Sequence, residues 1–192
     1  MALYDRNLRD VLEEIAGPTP APGAGAVSGV VVAMAAGLIA SAARRSTDWE
    51  DGKGVAAQAQ ALRSRVERLA EANEEAYLDA LALIEGARED GGRDAAIGKA
   101  LETAAELPLA IAECAFDVAL LGAEAAEHAV RGGAEDACAA AALAEAAARA
   151  AAGLVAVNLI SRPGDERVEH ARRLADAATD AARRAVAASA SR

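Results

Sequence analysis

Several groups of residues in this chain carry chemistry that a fold would have to position. Pro22-Gly23-Ala24-Gly25 runs into an uncharged stretch that holds Ser28 as a candidate hydrogen-bonding group. A glycine-rich turn entering a helix offers unpaired N–H groups and the positive end of the helix dipole, which suit a carboxylate or carbonyl oxygen. The same glycines, with Gly25 and Gly29 four apart, equally serve close helix crossing. Asp136 stands just inside a predicted helix start. A carboxylate in an apolar pocket can move protons, whereas one at a helix start also offsets the dipole by about 0.3–1 kcal/mol. Asn73 cannot act as a base, but its amide can orient a substrate amide or a water. Its neighbours Glu74 and Glu75 point about 100° apart, so at most one can share its face. Asn158 lies in an apolar stretch where an amide must find partners, from the bundle or from a ligand. Arg44, Arg45 and Lys53 form the densest basic group; Arg44 and Lys53 are candidates for holding an anionic tail, or the cations offset the end of a helix.

Other groups read as packing. Cys114 and Cys138 make no CxxC pair, and His128 and His170 fit no metal spacing, so no metal is expected. Glu106, Ala110, Glu113 and Asp117 recur at helical intervals and read as a solvated stripe.

The elements that must hold these residues are helical. Apolar spacing predicts helices over about 5–16, 26–46, 55–87, 93–130, 134–160 and 165–188, with Asp5 as first cap and Pro108 kinking the fourth. In the third, Leu62, Val66, Leu69, Tyr77, Leu81 and Ile84 are expected to point inward. Gly17-Pro18, Asp90-Gly91-Gly92, Arg131-Gly132-Gly133 and Pro163-Gly164 are the breaks. No stretch alternates in the manner of strands. With 192 residues, one domain spanning 1–192 is expected, an all-α bundle of about six helices with the second and fifth innermost.

Composition narrows the function classes. Roughly three residues in ten are Ala, the best helix former, which makes a thin core that gains from self-association. The net charge of −10 argues against nucleic acid as partner. The charged, amphipathic N-terminus is unlike a signal peptide. Ala26–Ala43 is uncharged and barely long enough to span a membrane, but Ala and Gly gain little from lipid, so a buried helix in a cytoplasmic protein is expected.

Local strings then follow a known order. PTPAPGAGAVSG, EANEEAY, AAELPLAIAECA, GGAEDACAAAALAEAA and AAGLVAVNLI resemble, in sequence order, segments of the formimidoyltetrahydrofolate cyclodeaminase and methenyltetrahydrofolate cyclohydrolase family. The resemblance implies a homodimeric helical bundle and metal-free folate chemistry, with no cofactor beyond the tetrahydrofolate substrate. That chemistry is closure of 5-formimino-tetrahydrofolate with loss of ammonia, or opening of the 5,10-methenyl ring by water. It implies catalytic roles for Asp136 and Asn73, and folate contacts from Pro22, Gly23, Gly25, Ser28, Arg44, Lys53 and Asn158. On this reading Asp136→Asn costs about 10²-fold in turnover. Ala24 and Ala26 replace a glycine and a serine of the family loop, and Asn73 replaces an acid. These departures leave open a divergent member with another cyclisation or ammonia-elimination substrate, or a non-catalytic helical dimer.

Overall fold

A chain so rich in alanine can bury surface only if its helices come close, and this governs the architecture. The computed structural model describes residues 2–18, 21–86, 93–160 and 162–191. Among them are a 3₁₀ turn at Leu3–Asp5 and seven α-helices, with no strand: α1 (Leu8–Ala16), α2 (Ala24–Arg45), α3 (Gly52–Gly86), α4 (Arg93–Ala104), α5 (Glu106–His128), α6 (Gly133–Asn158) and α7 (Glu166–Ala190). The expected break at residues 87–92 lies outside the described residues, as do Thr19 and Pro20 of the loop.

The predicted fourth helix is two helices. The N–H of Ala105 bonds back to both Leu101 (3.0 Å) and Glu102 (3.2 Å), closing α4. Pro108 then falls in the first turn of α5, where a missing N–H costs nothing. The first cap also differs from expectation. Asn7, not Asp5, caps α1, its Oδ1 accepting from the Asp10 N–H at 3.1 Å.

Five long helices form an up-and-down bundle with two poles. The N-terminal end of α2 meets the middle of α3, where Gly25 faces Asn73. The C-terminal end of α2 meets the opposite ends of α5 and α6: Ser46 Oγ accepts from the Val130 N–H at 2.9 Å, and Arg45 pairs with Asp136. Thus α2 and α6 are antiparallel neighbours. A Cβ at Gly29 would lie 2.7 Å from the Cβ of Ala70, and one at Gly122 3.0 Å from that of Ala141. Glycine at these crossings is what lets α2 reach α3 and α5 reach α6.

The innermost helices are α2 and α5; α6, the predicted fifth helix, buries one face and leaves the other open. Of the expected inward side chains of α3, Val66 is buried and Leu62, Leu69 and Leu81 half-buried, while Tyr77 is 41% exposed. Among the described residues two helices, α2 and α6, are long and apolar enough to cross a membrane. Only the first was expected from sequence, and both pack in this bundle. Outside it, α1 is strongly amphipathic yet buries no residue. Arg6, ahead of it, ties it to α3 through Glu74 (3.1 Å) and Glu14 (2.7 Å).

Candidate functional site

The start of α2, the middle of α3 and the end of α6 enclose a cavity of about 260 Å³. Gly23 and Gly25 form its floor, Asn73 and Tyr77 come from α3, and Asn158 comes from α6. Leu101, Ala104 and Pro108 close it from α4 and α5. Its lining is almost wholly apolar, and no charged side chain contributes to it among the described residues.

Each polar group at this cavity has a local cause. Gly23 caps α2 without a side chain, so no side chain caps the first N–H groups of this 22-residue helix, whose Ala24 and Gly25 line the cavity. The absent side chain at Gly25 admits Asn73: a methyl group there would overlap the Asn73 amide. That amide makes no hydrogen bond to any described residue. Asn158 is anchored by the break between α4 and α5. Pro108 has no N–H to give the carbonyl of Ala104, and Asn158 Nδ2 donates to that oxygen at 3.2 Å. Its Oδ1 is left for the cavity. Tyr77 follows Asn73 by one helical turn and presents the only ionisable side chain of the described lining.

The structure therefore brings Gly23, Gly25, Asn73 and Asn158 to one place. Pro22 is buried just before the loop, and its peptide bond with Ala21 is cis. Ser28 is 5% exposed and turned into its own helix, its hydroxyl donating to Ala24 O at 2.7 Å; it does not line the cavity.

Asp136, Arg44 and Lys53 are not brought to this cavity within one protomer. They come from helix ends at the other pole, about 30 Å away by the rise of α2 from Gly25 to Arg45. There the Asp136 carboxylate is held by Arg45, both about half exposed. Gly132, at φ +84°, turns the chain into α6, and its N–H donates to Glu135 Oε2 at 2.6 Å. Trp49 stacks on His128 with ring centroids 5.5 Å apart.

Two further groups are altered by burial. Burial pushes the Asp117 carboxyl up against the opposing pull of Arg65, and it also raises the Cys114 thiol. Neither lines the cavity. The stripe read as solvated meets partners: Glu113 lies 3.5 Å from Arg65 and 3.6 Å from His170. Sequence reasoning missed Tyr77 as a site residue. It was placed inward by its helical spacing, and its four-residue step from Asn73 was the available signal.

Comparison with known proteins agrees with the fold. A solved structure described as formiminotetrahydrofolate cyclodeaminase from Thermotoga maritima matches with a TM-score of 0.80 and 22% identity, over 95% of this chain and 96% of that one. No curated protein sequence matches the chain. The family model for formiminotransferase-cyclodeaminase matches residues 7–179, nearly the whole bundle and every residue that lines the cavity, and the chain belongs to that family.

Proposed function

We propose that this chain is a folate one-carbon enzyme that closes 5-formimino-tetrahydrofolate to the 5,10-methenyl form and releases ammonia. The observation that carries the reading is the Asn73 amide, without a hydrogen bond to any described residue and seated over Gly25 in a cavity whose described lining is uncharged. An amide without a protein partner beside an apolar lining is matched to a planar ligand edge that supplies both a donor and an acceptor. A pterin ring with its N5 substituent offers such an edge, and the open N–H groups of α2 suit its carbonyl oxygen.

In the reaction, N10 attacks the formimino carbon and a C–N bond forms. The nitrogen of the formimino group takes the proton from N10 and one more from solvent, the C–N bond to it breaks, and it departs as ammonia to leave the methenyl cation. Asn73 and Asn158 hold the reacting edge so that N10 and the formimino carbon stay in contact. The apolar walls favour closure over water attack on the product, which is why the cyclodeaminase direction is preferred to cyclohydrolase chemistry. The working unit in this reading is a cytoplasmic homodimer, supported by the uncharged outer faces of α2 and α6 that a monomer leaves open.

The test is direct. Saturating 5-formyl-tetrahydrofolate is expected to raise the melting temperature. Purified protein with 5-formimino-tetrahydrofolate is expected to form methenyl absorbance and ammonia in equal amounts. Absence of both binding and turnover overturns the reading.

A further inference from the structure

Aromatic side chains are scarce in this chain: two Tyr, one Trp and one Phe. Three of them have a place within the protein. Trp49 stacks on His128, Phe116 packs against the main core, and Tyr4 lines the groove between the N-terminal arm and α2 with Met34 and Glu67. Tyr77 is the remaining one. It makes no hydrogen bond and no ring contact to any described residue, and it stands 41% exposed in the lining of the cavity. Helix propensity gains nothing from a Tyr there. A ring with an open apolar face is suited to cover a flat partner.

Exposure marks where the cavity opens. Its described lining leaves two large apolar side chains exposed, Tyr77 from α3 and Val157 from α6, the latter at 64%. Gly25, Ala80 and Pro108 of the same lining are buried. Tyr77 lies one helical turn, about 6 Å, along α3 from Asn73. A ligand whose reacting edge meets Asn73 and Asn158 therefore passes between Tyr77 and Val157 where it leaves the cavity. In 5-formimino-tetrahydrofolate that portion is the aromatic ring attached to N10, followed by an acidic tail. The described lining has no charge to meet a carboxylate, and burying an unpaired one is costly. The tail thus goes to solvent, and the ring is left at the mouth.

We propose that Tyr77 is the platform for the aromatic ring carried by N10, with Val157 facing it across the mouth, so that the site selects a substrate with both ring systems over a bare reduced pterin. This rests on the reading above. Asn73 and Tyr77 then hold the two ends of one segment of the substrate. The amide fixes the N5 edge, and the Tyr77 ring fixes what N10 carries. Rotation about the bonds between them decides whether the N10 lone pair faces the formimino carbon, and holding both ends removes that freedom. The contact belongs to the face of the Tyr77 ring, so Phe can supply it as well.

Calorimetric titration with two ligands tests this. One is 5-formyl-tetrahydropteroate, which has both ring systems and lacks the acidic tail. The other is 6-methyl-5-formyl-tetrahydropterin, which has the bicyclic ring alone. Wild type is expected to prefer the first, and Tyr77→Ala to reduce that preference by about tenfold, the scale of one aromatic pair. Tyr77→Phe is expected to keep it. With 5-formimino-tetrahydrofolate, KM of Tyr77→Ala is expected to rise by about the same factor and kcat to fall less. Tyr77 is exposed, so melting and helicity verify that each variant folds. Three results overturn the platform while leaving the reaction standing: a wild type without the preference, a Tyr77→Ala that retains it, or a Tyr77→Phe that loses it. A wild type that binds neither ligand and forms no methenyl product overturns the reaction, and the platform falls with it.

Discussion

The two ends of α2 are built on opposite principles. At its C-terminal end polar groups are matched within the protein: Ser46 serves Val130, Arg45 serves Asp136, and Gly132 is tied to Glu135. At its N-terminal end they are left over: Gly23 gives no side-chain cap, Asn73 has no described partner, and Asn158 spends only its Nδ2. No buried side-chain nitrogen or oxygen among the described residues lacks a partner, so the groups left over at this end are half-buried and open to the cavity, not sealed in the core. Polar groups left open at a cavity are free to meet a ligand, and those matched within the protein are not.

The sharpest way to break this contrast is at Asn73. Asn73→Leu is expected to lower turnover by about 10²–10³-fold, the scale of losing one positioned polar group, with little change in melting temperature. A variant that melts early but turns over normally would make Asn73 a packing residue. The two glycines of α2 should separate in the same manner. Gly29→Val is expected to cost about 1–3 kcal/mol of stability by denaturant unfolding, since Ala70 offers backbone as well as its methyl group there. Gly25→Ala displaces only the movable end of Asn73, so its loss should fall on turnover.

For Ser46, at the other pole, the readout is stability. Ser46→Ala leaves the Val130 N–H without its partner and is expected to cost about 1 kcal/mol, measured by denaturant unfolding, with turnover unchanged. The smallest effect belongs to Asp165, the cap of α7. Its hydrogen bonds from the Arg167 side chain and backbone hold it at about 2. A depressed folded value contributes stability above the ordinary carboxylate value of about 3.9, and that contribution fades as pH falls toward about 2. Asp165→Ala should therefore melt earlier than wild type at neutral pH, and the gap should narrow below pH of about 4.

The helices were legible because their signals are local. Pro163-Gly164, Arg131-Gly132-Gly133 and the apolar spacing of α3 placed boundaries within a few residues. The break at Ala105 was read as a kink because Pro108 fits a bent helix as well as the first turn of a new one. Only the turn at Ala105 distinguishes them. The inner position assigned to α6 also differed, because an alanine-rich helix gives the same pattern whether it is covered on every side or left open for another chain.

The site was legible as residue types and not as a group. Gly23, Gly25, Asn73 and Asn158 stood out singly, as did Asp136, Arg44 and Lys53. No local rule says which of them meet. Tyr77 was taken for core because helical spacing cannot separate a side chain that faces the bundle from one that faces a cavity within it.

By itself, then, the sequence determined a helical bundle and its breaks, because propensity, capping and periodicity act over a few residues. The tertiary structure decided which polar groups share a cavity and which are already matched. That depends on the antiparallel course of α2 and α6, which carries the two ends of each helix about 30 Å apart, and on contacts between residues as distant in sequence as Ala104 and Asn158.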